Sequence, residues 1–176
     1  MNDPGRAPPS TSIALRYDAN EDRLLVAIDA GSAVARGYWL TRRSALKLIE
    51  AANPYLDRMS PLVGHTPVEL RGDLATMERE MALASTRAKL GRASAAALES
   101  AAAAAELVVQ VTISRQPQGF RLEFRGRKGS RAAVACSRAE LQRIIHMTEQ
   151  EAAKARWREP ASAPPSETRE AKRRAH

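Results

Sequence analysis

The chain has few of the residues that build covalent or base-stacking sites. Its 176 residues include one cysteine, and aromatic residues make up 4%. A single cysteine excludes an internal disulfide framework and is typical of a reducing compartment. So few aromatic rings argue against a surface that stacks many bases, because each stacked base needs an exposed ring.

Long hydrophobic runs are also missing. The most apolar stretch, SAAAAAELVV, is short, rich in alanine and interrupted by Glu106, whereas a membrane-spanning helix needs about 18 apolar residues. The first residues, MNDPGRAPPSTS, contain no apolar segment of the kind found in secretory signals. We therefore expect a cytoplasmic protein that does not engage a membrane.

No combination of residues predicts catalysis, a metal site or a cofactor. The three histidines stand at positions 65, 146 and 176, and no two have the spacing of metal ligands. Cys136 has the same strand parity as Val134 and Phe124, which favours a small core residue over a nucleophile. We therefore predict a protein that is not an enzyme and that has no cofactor.

Positive charge is concentrated in one part of the chain. Residues 107–158 contain 11 Lys and Arg against 4 Asp and Glu, so they carry most of the formal net charge of +8. A uniformly arginine-rich composition would spread the charge more evenly, so this segment needs a local explanation.

An internal repeat relates two parts of the sequence at an offset of 96 residues without a gap. The matched hydrophobic positions include Ile13, Leu15 and Tyr17 with Val109, Val111 and Ile113, and Leu24, Val26 and Ile28 with Phe120, Leu122 and Phe124. Tyr38 and Leu40 then match Val134 and Cys136. A single offset that aligns several successive segments predicts an internal duplication.

Each copy alternates with period two over three segments and then changes to a period of three to four, as in three strands followed by an amphipathic helix. Thr41 and Ser137 stand where a hydroxyl caps the helix, and Ser137 with Glu140 has the spacing of a capping box. Pro54 should kink or end the first helix near Asn53.

The segment between the copies has a different pattern. Thr66, Pro67 and Glu69 match a helix start, and apolar or small residues then follow at alternating spacings of four and three from Leu70 to Ala102. Gly91 leaves two alternatives open, one long helix or a helical hairpin. We expect this seam to pack closely against the sheets or another helix.

The predicted fold class is α+β, with two pseudo-symmetric β-β-β-α units separated by a long helix or helical hairpin. The first unit covers residues 12–60, the helical insertion 61–106 and the second, basic unit 107–158. The tails, 1–11 and 159–176, are rich in Pro, Ser, Ala and charge, and we expect them to be disordered. The patterns do not predict an oligomeric state.

Two candidate surfaces follow from this arrangement. In the first unit Trp39 and Leu25 point away from the predicted core, so that this face is either covered by the central helix or exposed as an apolar interface. In the second unit a basic hairpin carries five cations, Arg121, Arg125, Arg127, Lys128 and Arg131. These cations fit an acidic protein partner, nucleic-acid phosphates, or a charged hairpin that only protects a sheet edge.

In topology alone, tandem strand-strand-strand-helix units resemble single-strand-binding transcription regulators of the Whirly and Pur types. Those families have an additional strand in each unit and more aromatic residues. The resemblance implies nucleic-acid binding. From the residues themselves we predict a non-catalytic binding or accessory protein that engages an acidic protein partner, with sequence-tolerant nucleic-acid binding through the same cations as the alternative.

Overall fold

Two triplets of antiparallel strands, each followed directly by a helix, make up most of the fold. The computed structural model describes residues 9–10, 12–85 and 93–157. Its strands are β1 (Pro9–Ser10), β2 (Ile13–Asp18), β3 (Arg23–Ile28), β4 (Arg36–Thr41), β5 (Glu106–Gln116), β6 (Gly119–Gly126) and β7 (Arg131–Cys136). Its α-helices are α1 (Arg42–Arg58), α2 (Arg71–Ser85), α3 (Ala95–Ala103) and α4 (Arg138–Lys154). The predicted α+β class is confirmed.

The strands form one mixed sheet in the order β1-β7-β6-β5-β4-β3-β2. Neighbours are antiparallel except for β4 with β5 and β1 with β7, which are parallel. Only two residues separate β1 from β2, so that the Cα atoms of Ser10 and Ile13 are at most about 11 Å apart. The sheet therefore curls until its two ends approach each other.

The second and third strands of the two triplets pair in the same register at the offset of 96 residues. Leu24 of β3 pairs with Leu40 of β4, as Phe120 of β6 pairs with Cys136 of β7. Helices α1 and α4 span 42–58 and 138–154, which differ by the same offset.

The parallel contacts obey the same relation. Tyr38 of β4 pairs with Glu106 of β5, and Val134 of β7 pairs with Ser10 of β1. Each triplet therefore places its third strand beside the first strand of the other triplet. Strand β1 makes the parallel pairing and β2 makes the antiparallel pairing, whereas β5 makes both pairings by itself.

The pairing of the first two strands is where the triplets differ. Leu15 pairs with Val26, but Val111 pairs with Phe124, two residues out of step. The connection between the strands has four residues in the first triplet and two in the second, and this difference in length shifts the register. A β-bulge between Val108 and Gln110 adds a residue to β5.

The bulge changes one predicted core position. Val109 corresponds to Ile13 at the offset of 96 residues, but its side chain is 51% exposed in the structure. Val108 packs against the core instead, together with Val111 and Ile113. The prediction of a buried Val109 is therefore wrong. The extra residue of the bulge reverses the faces of the sheet to which the side chains before it point.

One face of the sheet carries the main core, to which both triplets and both following helices contribute. Its fully buried large side chains include Leu24, Tyr38, Leu40, Ile49, Leu122, Phe124, Leu141 and Ile144. Tyr38 stacks on Phe124 across the two triplets, with ring centroids 5.8 Å apart. The alternating pattern therefore identified the buried face of most strands.

The predicted helix caps of the two units are confirmed. Thr41 Oγ1 accepts a hydrogen bond from the Ser44 N–H at 3.2 Å, and Ser137 forms a complete capping box with Glu140. Helix α1 nevertheless continues past Pro54 to Arg58. Residues on both sides of the proline, Ala52 and Leu56, are buried in the core, and this packing outweighs the local preference of proline.

The central segment forms two separate α-helices within the described residues. Ser94 has extended backbone and caps α3 through its hydroxyl, so that one continuous helix is excluded. Helix α2 lies against α4, whereas α3 lies against β3 and β4. Thr66 does not cap α2, because its hydroxyl donates to the Leu62 carbonyl oxygen and a 3-10 turn, Val68–Leu70, precedes the helix.

The predicted seam is largely outside the core. Leu70, Met77 and Met81 are each at least half exposed, so the expectation of close packing is wrong for these three. Leu98 of the same seam does pack, against the cluster of Ala14, Ala27 and Ala101. The predicted disorder of 1–11 and 159–176 lies outside the described residues, apart from the paired strand Pro9–Ser10.

Candidate binding surface

The basic hairpin of the second triplet has a tightly bonded turn. The N–H of Gly126 donates to the Ser130 carbonyl oxygen at 2.9 Å, and the N–H of Gly129 donates to the Gly126 carbonyl oxygen at 3.0 Å. Gly129 has a φ of +96°, which a residue without Cβ adopts at little cost. The turn between β6 and β7 is therefore well defined.

Two further hydrogen bonds attach this turn to β5. The N–H of Arg127 donates to the Leu107 carbonyl oxygen, and the N–H of Lys128 donates to Glu106 Oε2, both at 2.8 Å. The side chains of Arg127 and Lys128 are exposed. The backbone thus holds two cations at the surface on a rigid platform, and this is the arrangement that binding of an anionic ligand requires.

Arg125 and Arg131 are directly opposite each other on β6 and β7, and both are exposed. Like charges opposite each other in a sheet are destabilising. They line a depression of about 230 Å³ together with Gln110, Thr112 and Glu123. We use the name basic surface for the four residues Arg125, Arg127, Lys128 and Arg131.

Arg121 does not belong to this surface. It is only 6% exposed, and its Nε lies 3.4 Å from Glu123 Oε2. The alternation of side chains along β6 correctly assigned Arg121 to the same face as Arg125, but this face is covered at Arg121. The prediction that Arg121 is a surface contact is therefore wrong, since a buried arginine meets a partner only after rearrangement.

The predicted apolar surface is mostly covered. Leu25 is 0% exposed, so it is not a contact residue on an open face, and the prediction is wrong for this residue. Helix α3 packs on this side of the first triplet: its Ala101 clusters with Ala14 and Ala27. Of the two alternatives for this face, cover by a helix of the central segment therefore holds.

Contacts at Gly37 and Arg16 fix the position of α3. A Cβ added to Gly37 would lie 2.0 Å from the Ala101 carbonyl oxygen, so the helix approaches β4 at a distance that only glycine permits. Arg16 Nη1 lies 2.6 Å from Glu99 Oε1 and joins β2 to the same helix.

Trp39 is the part of the apolar surface that stays accessible. It is partly exposed and pairs with Leu107 at the parallel contact between β4 and β5. Leu107 also accepts the hydrogen bond from the Arg127 N–H, so that a single strand, β5, separates Trp39 from the turn that carries Arg127. The structure therefore brings Trp39 near the basic surface, as part of one face rather than a second site.

The described residues contain no cluster of metal ligands, and Cys136, their one cysteine, is buried. No group of three or more His, Cys, Asp and Glu side chains in this part of the chain is arranged to hold a metal ion. Burial raises the pKa of the Cys136 thiol to about 12, and the nearby Glu140 carboxylate adds to the effect. A thiol with this pKa is a poor nucleophile at neutral pH.

The sequence patterns did not reveal a groove between α1 and β5. It has a volume of about 500 Å³ and is lined by Ser44, Lys47, Leu48, Ala51, Tyr55 and Arg58 of α1 and by Val108, Val109, Gln110, Val111 and Ile113 of β5. One signal was present in the sequence: at the offset of 96 residues Ala51 corresponds to the larger Met147.

Comparisons with family models, curated proteins and solved structures gave no match. Across the described ranges, no helix has both the length and the apolar character needed to cross a membrane.

Proposed function

We propose that this protein is a non-catalytic binding or accessory protein whose basic surface engages an acidic segment of a protein partner. The observation that carries the proposal is the concentration of four exposed cations on one rigid hairpin. Two of these cations, Arg125 and Arg131, are directly opposite each other in the sheet. An anionic partner between them would accept charge-assisted hydrogen bonds from both guanidinium groups.

Nucleic acid is the second candidate because Trp39 lies near the same cations and offers one ring for stacking. Most other aromatic side chains are engaged elsewhere: Tyr38 and Phe124 stack in the core, and Tyr17 packs on Trp157. A single ring supports little base stacking, since single-strand-binding surfaces use several. The proposal therefore favours carboxylates over bases as the recognised groups.

The test compares capture of partners by the protein and by a matched charge variant. Lysate treated with nuclease is passed over the tagged wild-type chain and over R127E/K128E. A stoichiometric protein that is retained by the wild type and lost by the variant would support the proposal. The control R71E reverses an exposed charge on α2 and should retain the partner.

The same variants separate the nucleic-acid alternative. Binding of a labelled single-stranded oligonucleotide would weaken with salt, with a slope of about −0.7 per phosphate contact. R127E/K128E would reduce the magnitude of that slope by about 0.7 for each lost contact. Oligonucleotide binding of this kind, without a retained protein, would contradict the acidic-protein proposal and support the alternative.

We further propose that the two β-β-β-α units arose by duplication of one unit. The shared register of the β3–β4 and β6–β7 pairs, the matching parallel contacts and the equal helix bounds support this. A cytoplasmic location is also proposed, on the basis of the single cysteine.

A further inference from the structure

Strand β5 has a free edge next to the groove. It is eleven residues long, but β4 pairs only with its first two residues, Glu106 and Leu107. In the described structure, residues 108–115 have a strand partner only on the β6 side. Because successive residues of a strand point their backbone groups to alternate sides, every second residue presents an N–H and a C=O to the groove.

The corresponding edge in the first triplet is closed by the chain itself. The N–H of Tyr17 in β2 donates to Glu151 Oε2 of α4 at 2.8 Å. Trp157, only 3% exposed, packs edge-on against Tyr17 with ring centroids 5.6 Å apart. The carboxylate that accepts a hydrogen bond from this edge and the aromatic ring that covers it therefore both belong to the same chain.

The groove between α1 and β5 lacks the large side chains that stand at the corresponding positions of the other triplet. At the offset of 96 residues Met147 of α4, which is 9% exposed, corresponds to Ala51 of α1, which is exposed. Trp157 corresponds to Pro61, which is exposed as well. The smaller side chain at 51 and the missing indole leave the space between α1 and β5 open.

The groove has an apolar floor and a cationic rim. Val108, Val111 and Ile113 are only partly buried and form the floor. Lys47 and Arg58 on α1 are exposed and lie along the groove, and none of the lining residues is acidic. A segment that fits here has backbone groups for the edge, alternate apolar side chains for the floor and carboxylates for the rim.

We propose that the groove between α1 and β5 binds an extended acidic peptide of a partner protein, which pairs with the free edge of β5 as an added strand. In the first triplet the Glu151 carboxylate already accepts a hydrogen bond from the edge N–H of Tyr17, which is a precedent for an acidic group beside such an edge. The groove uses the edge and inner face of β5 and the basic surface uses the outer face. The inference therefore does not rest on the proposed role of the basic surface.

The test uses a defined probe, a labelled and amidated octapeptide of alternating valine and glutamate. Its binding to the full chain is measured by fluorescence anisotropy and by backbone amide hydrogen exchange. We expect saturable binding and slower exchange at alternate residues of 108–116. The matched peptide of alternating valine and lysine should not bind, and N-methylation of alternate peptide nitrogens should abolish binding because it removes strand pairing.

Two variants assign the binding to the groove. Ala51→Met introduces the residue that stands at the corresponding position of α4, where it is buried, and should weaken binding at least about tenfold, because the larger side chain would occupy the groove. Its thermal unfolding should match the wild type, since position 51 is exposed. K47E/R58E should weaken binding of the glutamate peptide and strengthen that of the lysine peptide, whereas R127E/K128E should leave both unchanged.

Three results would overturn the proposal. The first is no binding of the glutamate peptide to the wild-type chain. The second is equal binding to the wild type and to Ala51→Met. The third is protection of β5 amides that rises with protein concentration in the absence of peptide, because a second copy of the chain would then be the occupant.

Discussion

The indole N–H of Trp157 donates a hydrogen bond to Asp22 Oδ1 at 3.0 Å, although 135 positions separate the two residues in the chain. Asp22 also accepts a hydrogen bond from the Tyr17 hydroxyl at 2.9 Å. The carbonyl oxygen of Trp157 accepts from Arg42 Nη2 at 2.7 Å. The segment after α4 is thereby fixed across the turn between β2 and β3 and the start of α1.

Replacing Trp157 should strongly destabilise the fold. The side chain is 3% exposed, and truncation of a buried tryptophan to alanine costs about 3–5 kcal/mol. We expect W157A to lower the free energy of unfolding in urea by this amount. W39A is the matched control, since Trp39 is partly exposed and should lose less than half as much. Similar losses in the two variants would contradict the structural role of Trp157.

The carboxylate of Asp22 should make stability depend on pH in the acid range. The hydrogen bond from Trp157, followed by that from Tyr17, holds the pKa of Asp22 below its usual value of 3.8. A carboxylate with a lowered folded-state pKa stabilises the protein above the unfolded pKa, and this contribution is lost as the pH falls through the folded pKa. D22N should therefore flatten the loss of stability below about pH 4, as measured by urea unfolding at several pH values.

W157F provides the control for this prediction, because it keeps an aromatic ring and removes the indole donor. It should reduce the acid-range pH dependence in part, and the double variant W157F/D22N should show no further change beyond D22N. An unaltered pH profile in D22N would refute the assignment.

Substitution of Gly37 should displace α3. The added methyl group of G37A would meet the Ala101 carbonyl oxygen at 2.0 Å, and overpacking of this kind typically costs about 1–3 kcal/mol. G72A is the matched control, because a Cβ at Gly72 meets nothing within 4 Å and alanine favours the helix by about 0.5–1 kcal/mol. Thermal unfolding should rank G37A below and G72A above the wild type; the reverse order would argue against the packing of α3 on β4.

Cys136 should be unreactive in the folded protein. With its pKa raised to about 12 by burial, only about one thiol in ten thousand is ionised at pH 8. We expect reaction with a disulfide reagent at pH 8 to be at least about a thousandfold slower than in denaturant. Since the folded pKa is raised, the stability that the neutral thiol contributes is present below the unfolded pKa and is lost as the pH rises towards 12. Rapid reaction of the folded chain would show that the site opens.

Charge reversal at Arg125 should raise the stability of the fold and weaken binding of the acidic partner. In R125E a glutamate is directly opposite Arg131 on the neighbouring strand, and an opposite-charge cross-strand pair contributes about 0.2–1 kcal/mol relative to a neutral pair. The same change removes a cation of the basic surface and should weaken retention of the acidic partner. R125Q, which removes the charge without reversing it, should give intermediate values in both assays. A loss of stability in R125E would contradict the predicted gain from the cross-strand pair with Arg131.

Parts of the fold that depend on local chemistry were predictable from the sequence. Period-two alternation identified the buried faces of β3, β6 and β7, and the hydroxyls of Thr41 and Ser137 identified the starts of α1 and α4. The buried state of Cys136 also followed from parity. These features depend on interactions within a few residues, and such patterns are visible along the chain.

The candidate site was only partly predictable. Parity assigned Arg121 and Arg125 to one face, yet the first is buried and the second exposed. Leu25 was assigned correctly to the outer face, but α3 packs on that face of the first triplet. Strand parity specifies the direction of a side chain, whereas exposure depends on which distant element packs over it.

The sequence by itself determined the two sets of three strands and a helix, their caps and the concentration of positive charge in the second set. Only the tertiary structure decided that α2 and α3 contact different elements, that the bulge turns Val109 outwards, and that the side of β2 is covered by Trp157 while a groove lies open between β5 and Ala51 of α1. Those outcomes depend on contacts between residues far apart in the chain, and the local periodicity of a single sequence does not record such contacts.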